Sequence, residues 1–171
     1  MRQRAGKAFT AGAFALAAIG TAAPARAAPP VATVAAQVVK PLTLKWVQNL
    51  DLGTVVLGPG TWSGATVGIS RAGVFSCTNA NVTCTGATMA AQYNVTGTTN
   101  QTVRITAPNV TLVNQSDSTQ TLTLVVDSPG TVVIPNAGKK GVDFSLGGSI
   151  ALSSSTPGGV YSGTFNVTVD Y

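Results

Sequence analysis

Apolar and polar residues alternate with period two along much of the chain. In Tyr161–Tyr171 every odd position is apolar or Gly and every even position is polar. Alternation over eleven residues predicts a strand with one buried and one wet face. Thr121 to Val126 nearly repeats it, with Leu122, Leu124 and Val126 inward. Val103 and Ile105, Val110 and Leu112, and Ile150 and Leu152 mark shorter strands. Turn residues stand between them, at Ser128-Pro129-Gly130, Pro135-Asn136-Ala137-Gly138 and Thr156-Pro157-Gly158-Gly159. Thr and Val dominate the strands because a branched Cβ packs well on a pleated surface. Helix signals are nearly absent: the Ala-rich stretches Val31 to Val39 and Ala87 to Ala91 lack a capping box. Short strands with frequent turns predict an all-β fold, a Greek-key β-sandwich.

A second alternation lies nearer the start. Ala32, Val34, Ala36, Val38, Leu42, Leu44 and Trp46 fall on one face, interrupted by Lys40. Pro41 cannot donate to a ladder, so Val31 to Val39 is a candidate strand separate from Leu42 to Val47. An extended apolar strand there either fills its own sandwich or inserts into a neighbour's, as in donor-strand complementation.

The first 27 of the 171 residues read as a secretory leader. Arg2, Arg4 and Lys7 form its basic region, Ala8 to Ile19 its apolar run, and Ala25-Arg26-Ala27 its cleavage pattern. The run is shorter than the about 20 apolar residues that span a bilayer, and no later stretch reaches that length. The expected organisation is a leader over 1–27, an extension over 28–40 and a β-sandwich domain over 41–171. The formal charge of +5 belongs largely to the leader. After cleavage six basic residues face five aspartates, a balance near neutral at +1. Lys139-Lys140 reads as a solvated turn, because nucleic-acid sites cluster Lys and Arg with aromatics.

The chain has no His and no Glu. That excludes a Ser-His-Asp triad, an imidazole shuttle and a His-ligated zinc. The aspartates 51, 117, 127, 143 and 170 are scattered, without the dense spacing of a calcium loop. No enzyme activity, metal or cofactor is expected. Cys77 and Cys84 are the two cysteines, and an exported chain with an even count suggests a disulfide. A redox or metal role is the rival reading, against which the spacing is not C-x-x-C. Six Asn-x-Ser/Thr matches are read as strand and turn residues of a Thr-rich chain. Trp46, Trp62 and Tyr93 are core or edge aromatics, with stacking on a sugar ring as the alternative.

The stretches Pro41-Leu42-Thr43-Leu44, Leu50-Asp51-Leu52-Gly53-Thr54-Val55 and Gly158 to Tyr171 resemble those of bacterial secreted proteins known as domain-of-unknown-function family 4402. That family's usual Asp-Phe-Gly stands here as Asp51-Leu52-Gly53. The last stretch is also similar to chaperone–usher pilins, which carry a Gly fourteen residues from the end, alternating apolar residues and a near-terminal aromatic. Gly158, Phe165, Val167, Val169 and Tyr171 match, although pilins favour a penultimate aromatic and Asp170 stands there.

The resemblance implies an immunoglobulin-like, pilin-like sandwich in a fimbrial subunit. Its partners would be like subunits, a periplasmic chaperone and an outer-membrane usher. The chaperone would pair with the strand carrying Gly158, Phe165, Val167, Val169 and Tyr171. Val34, Ala36 and Val38 would form the donor strand given to a neighbour. The chain is expected to pass through the periplasm to the cell surface or beyond. The alternative is a self-complete secreted or surface β-sandwich that binds a carbohydrate or protein ligand.

Overall fold

The computed structural model of the chain describes residues 33–135 and 140–171. The expected leader, the first residues of the extension and the turn residues Asn136 to Lys139 lie outside the described residues. Two units divide the chain, one ending at Ala36 and one running Gln37–Tyr171. In the first, residues 33–36 are exposed and carry no regular structure.

The second unit is all-β. Its strands are β1 (Thr43–Gln48), β2 (Thr54–Leu57), β3 (Ala65–Ile69), β4 (Phe75–Cys77), β5 (Val82–Thr85), β6 (Ala91–Thr96), β7 (Thr102–Thr106), β8 (Val110–Asn114), β9 (Thr121–Asp127), β10 (Thr131–Val133), β11 (Val142–Leu152), β12 (Tyr161–Ser162) and β13 (Thr168–Asp170). All strand pairings are antiparallel. A large sheet runs β1-β6-β11-β9-β8-β12, with β3 also on β11 and β4 on β3. Two small sheets, β10-β7-β13 and β2-β5, complete the set.

Strand β11 organises the large sheet. Its residues Val142 to Leu146 pair with β6; Gly147 to Ile150 pair with β9, and Gly148 to Leu152 with β3. Phe144, Leu146, Ile150 and Leu152 are buried on one face, the period-two rule carried along the whole strand. The glycines permit the close approach at its middle. A Cβ on Gly147 would strike the Ile69 carbonyl oxygen and stand 2.5 Å from the Arg71 nitrogen; one on Gly148 would press Leu124 at 2.9 Å.

Two apolar clusters follow from this path. In the first, Phe144 and Leu146 pack with Tyr93 and Val95 of β6 and Val103 and Ile105 of β7. In the second, Ile150 and Leu152 pack with Val67 of β3, Val82 of β5 and Leu124 of β9. The β10-β7-β13 sheet contributes to the first cluster and β2-β5 to the second. Leu50, Val126 and Phe165 touch both. Burying each such large aliphatic side chain contributes about 1.5–3 kcal/mol. These layers, with the core between them, bear out the expected β-sandwich class.

Cys77 and Cys84 form a disulfide, their Cα atoms 6.3 Å apart. It ties β4, at the margin of the large sheet, to β5 of the two-stranded one.

Two expectations change. The eleven-residue strand Tyr161–Tyr171 is two short strands, β12 and β13, in different sheets. Its burial alternation nevertheless persists at Phe165, Val167 and Val169. Residues 33–42 carry no strand, so the extension forms none in its described part. Trp46, read as a core or edge aromatic, stands at the edge and is 57% exposed. Strand β1 lies at the edge of the large sheet and its register shifts between Trp46 and Gln48, so no layer covers the indole.

Candidate functional site

The stretch Tyr161–Tyr171 bridges two sheets. Tyr161 and Ser162 pair with Asn114 and Val113 of β8. Thr168, Val169 and Asp170 pair with Thr106, Ile105 and Arg104 of β7. Residues 163–167 belong to no strand and enter no ladder among the described residues. Their side chains still alternate: Phe165 and Val167 are half-buried, and Thr164 and Asn166 are exposed. Phe165 reaches both apolar clusters. Gly163 lies close against β8, where a Cβ would stand 2.7 Å from the Thr111 carbonyl oxygen.

Beside this stretch runs an open cleft of about 760 Å³. It is lined by Trp46, Leu50 and Leu52, by Leu112 and Leu124, and by Ser162 to Phe165. A second hollow of about 400 Å³ shares Leu112 and Tyr161 with it and adds Val55, Leu122 and Ile150. Both hollows expose Leu112 of β8, and the second also exposes Leu122 of β9. Leu112 and Leu122 are accordingly only half-buried. Leucine side chains and chain without ladder partners therefore meet along the same opening.

At the turn before β12, Gly158 and Gly159 differ. A Cβ on Gly158 would meet open space. Gly159 has φ +151° and its Cβ would collide with the Asn114 carboxamide. Asn114 is buried, donates from Nδ2 to the Gly158 carbonyl (3.1 Å) and accepts from the Ser116 N–H (2.9 Å). Thus Gly158, the position singled out in the sequence, is held by a side chain that the sequence reading missed. An Asn at the end of the strand Val110–Asn114, directly after Leu112 and Val113, was the available signal.

Val34, Ala36 and Val38 are exposed, Val34 and Val38 at 95% and 89%. Farther along, Lys40 is fixed at both backbone groups. Its N–H donates to Thr98 Oγ1 (2.6 Å) and its carbonyl accepts from the Tyr171 hydroxyl (2.6 Å). Lys40 and Thr98 were absent from the sequence candidates, because their pairing spans 58 positions.

Of the three aromatics with a stacking alternative, Trp46 alone presents a ring to the cleft from an exposed position. Its indole N–H donates to Asn49 Oδ1 (3.1 Å). Trp62 donates to the Gly58 carbonyl (3.0 Å) and packs on the second cluster. Tyr93 is stacked on Phe144 at 5.6 Å, and burial pushes its phenol pKa up.

The charged groups are dispersed. Arg71 pairs with Asp127 at 3.2 Å, both half-exposed, in a contact worth less than about 1 kcal/mol. The Asp117 carboxyl is held below its usual range by hydrogen bonds from the Thr119 hydroxyl and N–H. Among the described residues no three His, Cys or Asp side chains gather in a metal-binding group.

A family model described as "Domain of unknown function (DUF4402)" matches residues 42–171. No curated protein and no solved structure matches the chain.

Proposed function

The chain belongs to the family described as a domain of unknown function (DUF4402), and from that premise we propose that it is an exported, non-enzymatic structural subunit of a fimbria-like surface fibre, assembled by donor-strand exchange. One observation carries the reading: residues 163–167 pair with no strand, their burial alternates from Thr164 to Val167, and Gly163 to Phe165 border a cleft that exposes Leu112. An unpaired edge beside a half-covered core invites another chain. A neighbour's segment bearing Val34, Ala36 and Val38 would lie in that cleft, with its small side chains on Leu112 and Leu124. Head-to-tail insertion does not close on itself, so it builds a fibre. Before assembly a periplasmic chaperone would occupy the edge along Val160 to Tyr171, and an outer-membrane usher would exchange it for the neighbour.

Deleting residues 28–39 and expressing the variant in the native host tests the mechanism. The expected result is export without polymer; surface filaments containing the variant overturn it.

The exposed indole of Trp46 at the cleft favours a second reading, a self-complete module that binds a carbohydrate or protein ligand. Its mark would be glycan-array binding by the monomer that disappears in Trp46→Ala.

A further inference from the structure

Three hydrogen bonds form a closed ring around Lys40. Its N–H donates to Thr98 Oγ1 (2.6 Å), the Thr98 N–H donates to the Tyr171 hydroxyl oxygen (2.7 Å), and that hydroxyl donates to the Lys40 carbonyl (2.6 Å). The ring joins three places in the unit: the chain just before β1, the turn after β6, and the end of β13. Its space is reserved. A Cβ on Gly97 would stand 2.5 Å from the Tyr171 hydroxyl oxygen and 2.6 Å from Leu42 Cδ2. Pro41 follows Lys40 and has no N–H, so the Lys40 amide and carbonyl supply the polar grip at this point.

Each of these bonds is exposed, and alone each competes with water. Closed on one another, they share partners, and loss of one leaves the others misaligned. We infer that the ring is a clasp that couples residues 37–40 to strand β13: freeing Lys40 loosens β13, and loosening β13 frees Lys40. The coupling is reciprocal because both events draw on one free energy. A pull applied to the chain ahead of Lys40 is then shared between β1 and the β13–β7 ladder. This inference stands whether or not the protein forms fibres.

Amide hydrogen exchange, followed residue by residue by NMR on the chain without its leader, tests it. Tyr171→Phe keeps the ring and removes the hydroxyl. It is expected to speed exchange at Lys40 and Thr98 about tenfold and leave β9 amides unchanged. Thr98→Ala removes only the acceptor of the Lys40 N–H. It is expected to speed exchange several-fold in β13, which Thr98 Oγ1 does not touch, and adding Tyr171→Phe should add little. If Thr98→Ala speeds Lys40 alone and β13 keeps its wild-type rate, the three bonds are independent and the clasp is refuted. If Tyr171→Phe unfolds the protein, seen as faster β9 exchange, Thr98→Ala decides by itself.

Discussion

The Asn114 carboxamide fills the space in which a side chain on Gly159 would stand. The turn into β12 therefore closes over a buried amide that is itself satisfied by Gly158 and Ser116. Gly159→Ala is expected to destabilise the protein by about 2 kcal/mol or more, since it adds both a clash and an unfavourable φ. Gly158→Ala, in open space, is expected to stay within about 0.5 kcal/mol. Urea titration of the two variants checks the contrast. Equal losses would show that the turn does not discriminate.

The disulfide joins two sheets through a short loop. Replacing Cys77 and Cys84 by Ser is expected to cost about 2.5 kcal/mol in the chain-entropy account. The measurement is the urea midpoint of the oxidised protein against the double variant. No shift would mean that the loop is ordered in the unfolded chain as well.

Gly147 meets the end of β3 on its backbone. Gly147→Val is expected to prevent β11 from pairing with β3 and to leave little soluble folded protein. Ser149→Val, a half-buried position two residues on, serves as the comparison and is expected to be milder. Circular dichroism and the soluble fraction on expression report the outcome. A Gly147→Val variant as stable as wild type would contradict the close packing described.

Tyr93 sets a pH dependence. Burial raises its folded pKa above the ordinary phenol value of about 10. The folded state thus favours the neutral phenol. That stability is complete below the ordinary value and is lost as pH rises through the folded one. Tyr93→Phe keeps the stack on Phe144 and removes the ionisation. It is expected to remain folded to higher pH than wild type, measured by near-UV circular dichroism during alkaline titration. Identical alkaline midpoints would exclude the contribution.

The sequence shows its strands wherever the period-two pattern has one wet face. Thr121–Asp127 and Thr102–Thr106 lie where the alternation puts them. Strand β11 is legible only at Ile150 and Leu152, because Gly147 and Gly148 resemble a turn in one dimension and are a close crossing in three. The break at 163–167 is hidden for the converse reason. Alternation reports which face is buried, not which strand lies alongside. Gly158, named by its resemblance to a pilin position, has open space around it, whereas the steric need for glycine falls on Gly159. The Lys40–Thr98–Tyr171 ring left no local trace, since its members come from three separate parts of the chain.

Strand β11 has a consequence for the order of events during folding. Its partners β3, β6 and β9 all precede it, and both apolar clusters draw residues from it. Neither half of the core can close until the chain through Leu152 is available. Such distant pairings make for slow folding. Until Leu152 is available, the apolar faces of β3, β6 and β9 have no strand between them to share.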